Sequence, residues 1–212
     1  MITASMQKLL NAQLNREYSS SYAYLAMAAY AESLSLVGFA HWLRTQHREE
    51  LEHALKFYEY IHAQNGRVTL AAITEPRAEY ASIFEVFQKV LEHEQFITRS
   101  IHEVYAAAEA EKDYATKTFL GWFVSEQVEE EAAAQLMVDR LAMIGESKGS
   151  LLYLGFFGEF RGTVWRIRDR RWLRLVGWKH LPPTTPDCWE PTTPGGLSRL
   201  TCGSRIAEST SA

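Results

Sequence analysis

Pro76 is the only proline in the first 181 residues, and residues 6–34 contain neither proline nor glycine. A chain this short of helix breakers can fold into long helices wherever its apolar residues recur at helical spacing. They do so from the start. Leu10, Leu14, Glu17, Ser21, Tyr24 and Ala28 recur at alternating four- and three-residue steps, the spacing of a bundle seam. Ser33-Leu34-Ser35 breaks this run, and 37–64 reads as a second helix ended by Asn65-Gly66, a left-handed cap. Residues 67–81, with Pro76, read as a connection long enough to run the length of a bundle and join parallel neighbours. A third helix starts at Ser82, an N-cap with Glu85 three residues on, and runs to 110. A fourth spans 113–144 and stops at Gly145. Helices of about 28 residues would each span roughly 42 Å. The spacing predicts an all-α, antiparallel four-helix bundle over 1–146, with a long crossover between the second and third helices. A short fifth helix over 147–160 and an irregular tail over 161–212 follow.

Each predicted helix carries a carboxylate where its seam calls for an apolar residue. The second has Leu43, Phe57 and Ile61 at core spacing, with Glu50 and His53 among them. A carboxylate and an imidazole at i, i+3 leave one helix face and can reach one metal ion. The first seam holds Glu17. The third reads Phe84, Phe87, Leu91, Glu94, Ile101 and Ala108; the fourth reads Phe119, Phe123, Glu126, Glu130, Ala133, Met137 and Ile144. A buried carboxylate is costly unless paired or bound to a cation. Glu17, Glu50 with His53, Glu94, and the cluster Glu126, Gln127, Glu129 and Glu130 can converge at one depth. Carboxylates with a single imidazole suit iron or manganese better than thiolate-preferring metals. The matching span of the fourth helix has Gln127 and Glu130 where a second Glu-x-x-His would stand. A second ion there would be held by carboxylates alone, loosely enough to be oxidised and then released.

These motifs resemble the bacterial non-haem ferritins over about residues 1–150. The carrying segments are NREYSSSYAY with Glu17 and Tyr24, REELEH with Glu49, Glu50 and His53, EHEQ with Glu94, and FLGWFVSEQVEEE with Glu126, Gln127, Glu129 and Glu130. The resemblance implies that Glu17, Glu50 and His53 bind one iron and that Glu50, Glu94 and Glu130 bind a second, with Gln127 beside them. It implies a third iron site at Glu49, Glu126, Glu129 and Glu130, and a one-electron donor in Tyr24. The implied activity is oxidation of Fe(II) by dioxygen or peroxide, with Fe(III) stored as mineral in a 24-subunit cage. A bacterioferritin would add a second Glu-x-x-His and a haem-ligating Met after the first Glu. Leu51 stands at that position, so no haem is expected. A rubrerythrin would need paired C-x-x-C motifs, and Cys188 and Cys202 form none.

Competing readings accompany each assignment. The inner carboxylates could form a metal-free salt-bridge network, but the seams offer few Lys or Arg to neutralise them. Glu49, Glu126 and Glu129 could be solvated helix-face groups. Tyr24 could be a core tyrosine with a satisfied hydroxyl. His41, His47, His62, His93, His102 and His180 read as surface or hydrogen-bonded side chains, and Trp42 and Trp122 as packing residues. Two rival functions are a di-iron or manganese oxidase acting on an organic substrate, and a bundle whose metals are structural and whose tail recruits a partner.

Residues 1–150 carry a net charge of −8 and 151–212 a net +4. The tail also holds five of the six prolines, four of the six tryptophans and both cysteines. That texture reads either as a shifted reading frame or as a basic, tryptophan-bearing surface for a membrane, nucleic acid or shell protein. The main domain lacks cysteine, a signal-peptide pattern and any membrane-length apolar run, which leads us to expect a cytoplasmic protein with no nucleic-acid or membrane partner for that domain.

Overall fold

In the computed structural model, which describes residues 2–145, 147, 149–151 and 154, four helices follow one another: α1 (Ala4–Ser33), α2 (Val37–Ala63), α3 (Ile83–Ala110) and α4 (Tyr114–Ile144). Their ends fall within two residues of the sequence expectation. Side-chain oxygens of Thr3, Ser82 and Asp113 accept the N–H groups of Met6, Glu85 and Thr116, closing three helix N-termini. Such a cap contributes about 1 kcal/mol. Ser35, Asn65 and Lys112 take the left-handed conformation just past the ends of α1, α2 and α3. In each case the next residue's N–H reaches back into the helix: Leu36 to the Ala31 carbonyl, Gly66 to Ile61 and Asp113 to Ala108. Position 66 also has little room for a side chain. A β-carbon there would lie 2.9 Å from side-chain atoms of both Ile2 and Ile61.

The connection over 66–81 is stapled to α1 by three amide side chains one turn apart. Arg67, Thr69 and Ala71 donate their N–H groups to Gln7, Asn11 and Asn15, at 2.8, 2.6 and 2.7 Å. Asn11 and Asn15 return bonds to the carbonyls of Arg67 and Thr69. The register follows from geometry: four helical residues advance about 6 Å, and two extended residues advance about 6.6 Å. The crossover therefore runs in the direction of α1. It carries the chain from the end of α2 back to the opposite end of the bundle, so α3 starts there and runs parallel to α2.

Two apolar clusters fill the bundle. One joins the C-terminal half of α1 to the starts of α2 and α3 and the end of α4, through Tyr24, Phe39, Trp42, Phe87 and Met137 among others. The other joins Met6, Leu10 and Leu14 to Phe57, Ile61, Ile97, Ile101 and Phe123. Leu154 is buried against the first cluster and Leu151 packs on it; 149–151 and 154 are helical. The remainder of the expected fifth helix, and the whole tail over 161–212, lie outside the described residues. None of the described helices is long and apolar enough to cross a membrane.

Between the two clusters lies a polar waist. The α3 and α4 seams differ in detail from the sequence pattern. Phe84, Leu91 and Phe119 are only half-buried, and the fourth seam runs through Leu120, Phe123, Gln127, Glu130, Ala134, Met137 and Leu141. Gln127, not Glu126, therefore points inward. The two are adjacent and about 100° apart around the helix axis, so only one of them can face the core.

Candidate metal centre

The waist gathers Glu17 from α1, Glu50 and His53 from α2, Glu94 from α3 and Glu130 from α4, all buried. Among the described residues no Lys or Arg is buried with them. That removes the salt-bridge network as an explanation for so many interior carboxylates. Glu17, Glu50 and His53 each place one ligand atom within 4.8 Å of the others. Oε2 of Glu17 and Oε2 of Glu50 are fully buried with no hydrogen-bond donor. His53 Nδ1 stands 3.6 Å from Glu50 Oε2, but burial lowers the imidazole's pKa, so it is neutral near pH 7 and supplies no countercharge. Burial, then the charge of Glu50 on Glu17 and that of Glu94 on Glu50, push both carboxyls well above the ordinary range. Two facing carboxylate oxygens without a donor require either a shared proton or a cation.

Neighbouring groups fix this triad. Gln13 Nε2 donates to Glu17 Oε1 at 2.8 Å, and Gln13 is itself oriented by Ser100 and by Arg16, whose donors meet Gln13 Oε1. His53 packs edge-on against Trp122 and Phe123, with ring centroids 5.4 and 5.8 Å away. Trp122 is part-exposed, and its ring lies under the Lys56 ammonium.

The other side of the waist is supplied with donors. Tyr24 donates its hydroxyl to Glu94 Oε1. Gln127 Nε2 lies 3.2 Å from Glu94 Oε2. Gln46 Nε2 donates to Glu130 Oε2 at 2.9 Å. Burial and then the charges of Glu94 and Glu50 raise the Glu130 carboxyl well above its usual range. The Tyr24 hydroxyl is also held well up, by burial first and then by Glu94. It is therefore protonated at neutral pH, as its donation to Glu94 requires.

The outer carboxylates are less gathered. Glu49 and Glu126 are half-buried and Glu129 is exposed. Burial raises the Glu49 carboxyl, His53 opposes that, and Glu126 adds to it, which places Glu49, Glu126 and Glu130 within one field. His47 and His93 are engaged with Ser21 and Ser20. Sequence reasoning passed over Gln13 and Gln46. Their signal is a glutamine within one turn before a seam carboxylate.

A family model for the ferritin-like domain matches residues 7–144. A bacterial non-haem ferritin from Staphylococcus aureus is 38% identical over 151 residues, covering 71% of this chain and 91% of that protein. One from Staphylococcus haemolyticus is 39% identical over the same length. Among solved structures, an open-pore ferritin from the archaeon Archaeoglobus fulgidus superposes with a TM-score of 0.74 at 45% identity, covering 76% of this chain and 99% of that one.

Proposed function

Since this chain belongs to the ferritin family, we propose that it stores iron, oxidising Fe(II) at the waist and depositing Fe(III) as mineral inside a cage of its own copies. The observation that carries this reading is the pair of donorless oxygens on Glu17 and Glu50 beside a neutral His53. Iron is the substrate. One Fe(II) would be held by Glu17, Glu50 and His53, and a second by Glu50, Glu94 and Glu130, with Glu50 shared and Gln127 alongside. Glu49, Glu126 and Glu129, with Glu130, would form a third position. Two Fe(II) ions supply two electrons, enough to take dioxygen to peroxide or peroxide to water. Tyr24, which donates to Glu94, would lend a further electron to the same oxidant, its phenolic proton moving toward that carboxylate.

The functional unit is the bundle over 1–146, assembled as a cytoplasmic 24-subunit shell. Leu51 in place of a haem-ligating Met makes the protein haem-free, and added haemin should produce no spectral shift of a ligated haem. The waist favours this function over an oxidase for organic substrates because Tyr24, Phe123 and the carboxylates fill its interior. The deciding experiment adds graded Fe(II) aerobically to size-fractionated protein and follows Fe(III) absorbance. Fast oxidation far beyond three irons per chain, in a species above half a megadalton built from 24.2 kDa chains, supports storage. Oxidation that stops at two or three irons in a small species would refute the cage.

A further inference from the structure

Gln46 is 4% exposed, and its amide meets Glu130, the carboxylate where the buried ion pair and the outer acidic group adjoin. It stands one turn before Glu49 and Glu50 on α2. One amide on α2 therefore holds a buried carboxylate on α4. The residue type matters. A lysine here would neutralise that carboxylate and occupy the place of a cation. A leucine would leave Glu130 undirected, and a glutamate would add another charge to the field that Glu94, Glu50 and Glu126 already exert on it. A neutral double donor holds Glu130 by one oxygen and leaves its other oxygen free for a metal.

We propose that Gln46 is a positioning residue that sets the carboxylate shared by the second and third iron positions, and thereby governs transfer of an ion from the buried pair to the outer group. This rests on the ligand assignment proposed above. The first position is untouched, because the amide makes no hydrogen bond to Glu17, Glu50 or His53, which are fixed instead by Gln13 and the aromatic rings.

The test is calorimetric titration of Zn(II), which is redox-inert, into the assembled wild type, Gln46→Leu and Gln46→Glu. In Gln46→Leu the first ion should keep its affinity while the second weakens about ten-fold or more. In Gln46→Glu the added carboxylate should hold the second ion more tightly and release it more slowly. Opposite shifts in the two variants are not produced by a merely structural role. The proposal fails if both ions weaken together in both variants, or if the second ion is indifferent to either change. Should Gln46→Leu not fold, Gln46→Glu decides alone: tighter retention supports the proposal, and unchanged or weaker binding overturns it. The underlying assignment is checked separately with Glu50→Ala. Zinc binding that survives Glu50→Ala unchanged would bring down the assignment. A normal wild type with unaltered Gln46 variants would bring down only the inference.

Discussion

At the His53 end of the waist, Glu17 and Glu50 bring two oxygens together with no donor between them. Across the bundle, Glu94 and Glu130 have theirs held by Tyr24, Gln127 and Gln46. Both halves bury carboxylates from two or more helices, yet only the first has buried oxygens that no hydrogen-bond donor meets. The difference teaches how one centre can bind one ion firmly and another loosely. In the first half a metal relieves repulsion that only a bound proton otherwise offsets. In the second it must compete with neutral hydrogen bonds, so an ion there is the easier one to release.

The largest expected effect comes from removing the residue the halves share. Glu50→Ala should slow Fe(II) oxidation by orders of magnitude; stopped-flow absorbance at wild-type rates would exclude the centre. A sharper contrast lies in the stability of the metal-free protein. Glu17→Gln lets the new amide donate to Glu50 Oε2 while still accepting from Gln13. It should raise stability by about 1 kcal/mol or more even as the first ion is lost. Glu94→Ala strands the Tyr24 hydroxyl and the Gln127 amide and should cost about 1–3 kcal/mol. Changes of the same sign in chelator-treated protein, followed by denaturant unfolding, would erase the distinction between the halves.

A smaller effect concerns pH. Glu17, Glu50 and Glu130 bind protons more tightly folded than unfolded, where the reference is 4.5. Between that value and their raised folded values the native state holds the extra protons. Their contribution is therefore complete at the acid end and is lost as pH rises through the folded values. His53 has the opposite sign, losing its contribution as pH falls through and below its ordinary 6.5. Three carboxyls outweigh one imidazole, so metal-free stability should decline as pH rises above 4.5. The rise in melting temperature on adding Zn(II) should grow over the same range, and a pH-independent rise would contradict this account. The smallest effect is Tyr24→Phe, which should slow oxidation less than Glu50→Ala while leaving Zn(II) affinity in the first position unchanged. Equal losses of binding and rate would make Tyr24 a packing residue.

Much of this was legible beforehand for a simple reason: helix periodicity is local. Scarce Gly and Pro, the caps at Ser82 and Asn65, and carboxylates at seam positions are all properties of neighbouring residues. The Glu50–His53 pair needed only one helix to be read. The direction of the crossover followed from its length, but the ladder of Gln7, Asn11 and Asn15 that fastens it did not. Amides at four-residue spacing look like any solvated face until an extended segment lies beside them.

The sequence alone determined a four-helix bundle with a carboxylate in every seam and a single imidazole, because covalent spacing fixes which side chains share a helix face. Only the tertiary structure decided which oxygens go without a donor, that Gln127 points inward in place of Glu126, and that Gln46 reaches Glu130 across 84 positions of chain. Those outcomes depend on the rotation of each helix about its axis and on its depth in the bundle. The packing of the two apolar clusters sets both, and no residue's immediate neighbours do.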